Sequence, residues 1–174
     1  MKALILSTAV AILFAGAAQA QSPPAGCQAP ERRQFDFWVG RWDVYPTGKD
    51  AKVAESLIEN LYLGCAIREN WMPSKSTPGG SYSAYVPADR GWRQIWLDAS
   101  GSWVEFKGGW TGEAMVLTGR WPQPGKPNQL TRMTYTRAPE GSVRQFGQSS
   151  DDEGETWQAS FDFTYRPAKQ APAT

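Results

Sequence analysis

Between residues 35 and 166, apolar and polar side chains alternate with a period of two, and turn clusters break the alternation at steady intervals. Successive side chains of a strand point to opposite faces, so this pattern is that of strands with one buried and one wet side. The breaks fall at 78–80, 87–91, 98–101, 111–112, 122–128, 138–141 and 151–154. Each holds Gly, Pro, Asn or Asp, which supply positive or preset φ for chain reversal. Between the breaks lie segments rich in Trp, Tyr, Phe, Val and Thr, and these predict about ten strands. Their expected bounds are 36–45, 52–62, 65–73, 81–87, 91–98, 102–109, 113–121, 129–137, 142–149 and 156–166. Short links imply antiparallel neighbours in a meander, and closure into a barrel removes the exposed edges that so long a meander would carry. The expected fold is therefore all-β, a single antiparallel meander barrel, with a sandwich as its rival.

Alternation also assigns faces. In 156–166, Trp157, Ala159, Phe161, Phe163 and Tyr165 share one side, and Gln158, Ser160, Asp162, Thr164 and Arg166 the other. In 91–98, Trp92, Gln94, Trp96 and Asp98 oppose Arg93, Ile95 and Leu97. In 65–73, Cys65, Ile67, Glu69 and Trp71 oppose Arg68 and Asn70. Polar groups thus share faces with large aromatics, as the wall of a pocket does and a dry core does not.

Outside the barrel region the pattern changes. Lys2 precedes an apolar run, 3–18, that is shorter than the roughly 20 residues a membrane span needs. The run ends in Ala18-Gln19-Ala20, and the chain turns polar at Gln21-Ser22-Pro23-Pro24. This predicts a cleaved signal peptide over 1–20 and a mature protein in the periplasm or secreted, with no integral membrane segment after cleavage. Residues 21–34 read as a leader segment and 167–174 as a frayed tail. Cys27 and Cys65 are the two cysteines, and in an oxidising compartment an even pair predicts a disulfide. Such a bridge would contribute about 4 kcal/mol through lost unfolded-state entropy.

Charge and composition then narrow function. Of 18 basic residues one is Lys2, and the remainder balance 17 acidic residues in the mature chain. No basic stripe is present, so nucleic acid has no electrostatic support as a partner. Histidine is absent, which excludes Ser-His-Asp and Cys-His catalysis, imidazole metal ligation and His-ligated haem. No cofactor and no metal site is implied. Nothing in the sequence speaks to oligomeric state.

Two motifs stand out. The first is Phe35-Asp36-Phe37-Trp38-Val39-Gly40-Arg41-Trp42-Asp43-Val44, whose Gly40-x-Trp42 resembles the first-strand signature of lipocalins and related calycin barrels. The resemblance implies that Trp42 closes the barrel floor and that a basic residue of the last strand, Arg166, packs across it by a cation–π contact. The second, Ser150-Asp151-Asp152-Glu153-Gly154-Glu155-Thr156-Trp157, matches the Asp-box form. Here Asp152 would accept bonds within the turn, Gly154 supply positive φ, and Trp157 anchor the outgoing strand. The box repeats in sialidase propellers and occurs once here, so it reads as a hairpin staple. Together with Gly64-Cys65, Glu69-Asn70-Trp71, Trp92 to Asp98 and Arg144-Gln145, these motifs resemble a bacterial family of lipocalin-like proteins with no assigned activity. The resemblance spans roughly 35–166 and implies a barrel without supplying site residues.

The expectation for function is a small molecule held inside the barrel. The proposed lining is Glu69, Trp71, Tyr85, Gln94, Trp96, Arg132 and Gln148, with Trp and Tyr as flat walls and the polar groups orienting a ligand. Glu69 and Arg132 could instead form a buried ion pair that only fixes the fold. Nine Trp residues also suggest stacking on sugar rings. An enzyme would have to work through carboxylates such as Glu69, Asp98 or Glu105, which no spacing ties into a dyad. A third alternative is an envelope protein that docks a macromolecule on its outer face.

Overall fold

The computed structural model describes residues 27–169 except Pro124 and Lys126. The expected signal peptide, residues 21–26 of the leader and residues 170–174 of the tail lie outside the described residues. Ten strands form one closed barrel. They are β1 (Gly40–Pro46), β2 (Ala54–Leu61), β3 (Ala66–Pro73), β4 (Gly79–Val86), β5 (Gly91–Asp98), β6 (Trp103–Trp110), β7 (Ala114–Trp121), β8 (Gln129–Arg137), β9 (Val143–Ser150) and β10 (Gln158–Pro167). Each strand pairs antiparallel with its sequence neighbours, and β1 pairs with β10 to close the ring. The sandwich is excluded.

Two expectations about the strands fail in detail. Residues 36–38 form a 3₁₀ turn rather than the start of β1. The turn sets the rings of Phe35 and Trp38 against each other, stacked at 4.9 Å, and both are fully buried. Tyr135 packs on both, with centroids at 4.9 and 4.8 Å, and Trp92 meets Phe35 edge-on at 5.7 Å. Such contacts each contribute roughly 0.5–1.5 kcal/mol beyond the apolar area they bury. Together these rings plug one end of the barrel. Trp42 joins them, its indole N–H donating to the Trp38 carbonyl at 2.9 Å. Gly40 is required beneath it: a Cβ there would stand 3.1 Å from the Trp42 ring.

The second failure is on β10. Ala159 pairs with Gln148 while Phe161 pairs with Gly147, so Ser160 is an extra residue in a β-bulge. A bulge inserts one residue and reverses the alternation beyond it. Trp157 and Ala159 therefore lie on the outer wall, and only Phe161, Phe163 and Tyr165 face inward. Gly147 makes this possible, because a Cβ there would lie 2.2 Å from the Phe161 ring.

The disulfide forms between Cys27 and Cys65, with Cα atoms 4.9 Å apart. It ties the segment leading into the plug to the β2–β3 turn. The same segment packs on the barrel, since Trp92 Nε1 donates to Gln34 Oε1 at 3.1 Å and Arg32 donates to the Tyr85 carbonyl at 3.3 Å.

The outer wall carries the charges. Arg68 pairs with Glu59, Arg120 with Glu153, and Arg144 with Asp162. Exposed pairs of this kind add little to stability, because water and salt screen them. Arg166 is among the outer residues. Its guanidinium lies 4.3 Å over Tyr45, not across Trp42, because its register partner Asp43 faces outward while Trp42 faces in.

Candidate ligand-binding site

The strands run between two ends with different fillings. At one end lies the plug of Phe35 and Trp38. At the other lie the links after β1, β3, β5, β7 and β9. Between plug and links is a cavity of about 260 Å³. Its deep wall is made by inward positions on consecutive strands: Glu69 on β3, Gln94 on β5, Phe106 on β6, Met133 and Tyr135 on β8, Gln145 on β9 and Tyr165 on β10. Nearer the links stand Trp71, Trp96, Trp121, Phe161 and Phe163, half-buried, with exposed Ser76 at the lip. Trp96 and Trp121 lie 6.2 Å apart, and Trp71 and Phe163 5.7 Å, so aromatic faces line both sides of the mouth.

The floor of the cavity is polar and connected. Glu69 is only 5% exposed, and accepts from Ser81 Oγ at 3.0 Å and Ser56 Oγ at 3.3 Å. The Tyr165 hydroxyl lies 3.5 Å from Glu69 Oε1 and 2.7 Å from Gln145 Oε1, so a single proton serves two acceptors. Gln145 in turn donates to the Tyr135 hydroxyl at 2.9 Å, and Gln94 donates to Ser83 at 2.9 Å. Among the described residues, no Lys or Arg forms an ion pair with Glu69. Burial pushes its carboxyl up to about 7, against the pull of the Ser81, Ser56 and Tyr165 bonds. Burial and the nearby Glu69 charge hold both tyrosine hydroxyls well above their ordinary range.

Of the seven lining residues expected from sequence, Glu69, Trp71, Gln94 and Trp96 meet in the cavity. Tyr85 faces inward but sits at the plugged end, against Trp92 at 6.4 Å. Arg132 and Gln148 do not line it. On β8 the inward positions are Thr131, Met133 and Tyr135, and Arg132 and Gln148 are register partners on the outside. There Arg132 lies 4.0 Å over the Trp157 ring and donates to Gln148 Oε1 at 2.8 Å. A Glu69–Arg132 ion pair is thereby excluded. Sequence reasoning missed the polar residues Ser56, Ser81, Tyr135, Gln145 and Tyr165 around the floor, and the apolar wall of Phe106, Trp121, Met133, Phe161 and Phe163. Strict alternation on β8 and β9, starting from Met133 and Val143, would have found Tyr135 and Gln145.

The three acidic candidates for catalysis lie apart. Glu69 is on the floor, and Glu105 is on the outer wall beside Trp103 at 3.4 Å. Asp98 is at the lip: partial burial raises its carboxyl, but bonds from Ser100, Trp96 and Ser102 outweigh this and hold it below its usual range. Among the described residues no group of three or more Cys, Asp or Glu side chains could hold a metal ion.

The Asp box stands at the mouth as the β9–β10 turn. Asp152 accepts from the Thr156 N–H at 2.8 Å, the Thr156 hydroxyl at 2.5 Å and the Ser150 hydroxyl at 2.7 Å. Ser150 also accepts from the Gly154 N–H at 2.8 Å. Trp157 Nε1 donates to the Gly154 carbonyl at 2.9 Å, and Gly154 has φ +93°. Ser150, Asp152, Thr156 and the Trp157 indole are all bonded within the turn, so the box staples a hairpin.

Fold and site together define a closed antiparallel β-barrel with an internal aromatic and polar cavity. No family model matches the chain, and no curated protein matches it. The chemistry of the cavity is left to its own residues to specify.

Proposed function

We propose that this chain is an exported, lipocalin-like binding protein that holds one small molecule in the barrel. The observation that carries the reading is the cavity itself. An interior built only for stability would be filled by apolar side chains at near-crystalline density, whereas here open space meets a connected polar floor. A volume of about 260 Å³ is below the roughly 300–1,000 Å³ of clefts for drug-sized ligands, so the fitting molecule is small. Export is supported by the Cys27–Cys65 bridge, which persists in oxidising compartments. No helix among the described residues is long and apolar enough to cross a membrane.

Native mass spectrometry of protein purified from its own source tests the binding reading. A retained small molecule, lost in Trp96→Ala, is the expected result. An empty barrel whose tryptophan fluorescence ignores native extracts would sink it. N-terminal sequencing of the same sample tests export, with Gln21 expected as the first residue.

A second reading draws on the outer wall. Tyr82, Leu97 and Trp103 are exposed and adjacent across β4, β5 and β6, which suits docking on a macromolecule. Loss of the retained molecule in Trp96→Ala but not in Trp103→Ala favours the cavity.

A further inference from the structure

We propose that the cavity selects organic cations, seating an ammonium group on Glu69 with the rest of the molecule between the aromatic walls. This assignment rests on the small-molecule reading above and names the class of ligand. Its basis is the isolation of one carboxylate. Glu69 projects from β3 into the cavity, and the groups facing it from other strands are all neutral donors or amides. They are Ser56 from β2, Ser81 from β4, Gln94 from β5, Tyr135 from β8, Gln145 from β9 and Tyr165 from β10. The two tyrosines are the only other titratable groups among them, and both keep their protons through the neutral range.

A buried carboxylate is ordinarily paired with a cation, because neutral hydrogen bonds recover only part of the lost hydration. The protein's nearby arginines point outward: Arg68, one residue from Glu69, is taken by Glu59. Two carboxylate oxygens offer about four lone-pair positions, and three neutral donors approach them, the third at 3.5 Å and shared with Gln145. Room for a further donor is left on the cavity side. An ammonium group there would neutralise the charge that the protein leaves uncompensated. An anionic ligand would be repelled, and a neutral alcohol would add a hydrogen bond but no charge.

The walls agree with this choice. Trp71, Trp96 and Trp121 stand above the floor with Phe161 and Phe163. Aromatic faces attract cations through their quadrupoles and cover an apolar or aromatic body equally well. Because the carboxyl must give up its proton to hold a cation, affinity should rise with pH through about 7, where Glu69 is half ionised, and level off above it. The linkage relation makes binding roughly thirtyfold weaker at pH 5.5 than at pH 8.

The test is calorimetric titration of the purified full chain at pH 8 with three probes of one shape: 2-phenylethylamine, 2-phenylethanol and 3-phenylpropanoate. The amine is expected to bind at least tenfold more tightly than the alcohol, and the carboxylate not measurably. Glu69→Gln, which keeps the side-chain shape, should erase the amine's advantage, while Glu105→Gln on the outer wall should leave it intact. If the alcohol or carboxylate matches the amine, or if the advantage survives Glu69→Gln, the cation assignment falls and small-molecule binding stands. A co-purifying molecule without a basic nitrogen has the same meaning. If no probe binds and the native protein carries nothing, both readings fall.

Discussion

Ser81 and Glu69 stand directly opposite each other on β4 and β3, and the serine hydroxyl donates to the carboxylate at 3.0 Å inside the barrel. Burial outweighs that bond and raises the Glu69 carboxyl from 4.5 to about 7. A carboxyl that binds its proton more tightly when folded stabilises most below its unfolded pKa. That contribution is lost as pH rises from about 4.5 through about 7. The difference corresponds to about 3 kcal/mol. Glu69→Gln is therefore expected to be more stable than the parent at pH 8, with the gap closing toward pH 4.5. Urea midpoints of both proteins at the two pH values check this, and a gap independent of pH contradicts it.

Asp152 has the opposite sign. Hydrogen bonds from the Thr156 hydroxyl and N–H and from Ser150 lower its carboxyl from 3.8 to about 2. Its contribution is present above about 3.8 and disappears as pH falls through about 2. Asp152→Ala should lower Tm at pH 7, and the deficit should shrink on acidification. Asp151→Ala loses only the bond from Gln129 and should change Tm far less. Thermal scans from pH 7 to pH 2 distinguish the two.

Gly147 leaves space for the Phe161 ring, and a methyl group there would stand 2.2 Å from it. Overpacking of a filled interior costs about 1–3 kcal/mol. Gly147→Ala is expected to fall in that range, and a smaller residue at 161 should relieve it. A double-mutant cycle with Phe161→Leu should thus be clearly non-additive. Additivity would mean that the bulge at Ser160 does not depend on this contact.

Arg132 has its place outside, over Trp157. Arg132→Ala is expected to cost about 1 kcal/mol through the lost cation–π contact. Ligand retention should be unchanged, in contrast to Trp96→Ala. Reduced retention in Arg132→Ala would return that side chain to the interior.

Ten strands were legible because their turns are written in Gly, Pro, Asn and Asp, and because faces alternate. Legibility ended where one residue broke the count. Ser160 resembles any other strand residue, yet its insertion sends Trp157 outward and leaves Phe161 inside. Phe35, Phe37 and Trp38 have the composition of a strand, but the demand for two stacked rings at the barrel end imposes a 3₁₀ turn. Within the site, Glu69, Trp71, Gln94 and Trp96 were found by parity on β3 and β5. Arg132 has a side chain suited to orienting a ligand, but the parity of β8 puts it on the outer wall. Tyr165 shared a face with Phe161 and Phe163 in the alternation, but neither it nor the small hydroxyls of Ser56 and Ser81 carried any sign of the carboxylate they meet. Their meeting at Glu69 depends on register across strands distant in sequence.

The seam between β1 and β10 separates two kinds of time in this molecule. Every other strand pair joins neighbours through a short link, and such local contacts form early and cheaply in entropy. The seam joins the first strand to the last, as in the pairing of Val44 with Tyr165. Its formation is thus the step that waits for nearly the whole chain. Of the bonds in the polar floor, those from Ser56 and Ser81 to Glu69 lie between neighbouring strands, whereas the Tyr165 hydroxyl on β10 meets Glu69 on β3 only once the seam has closed.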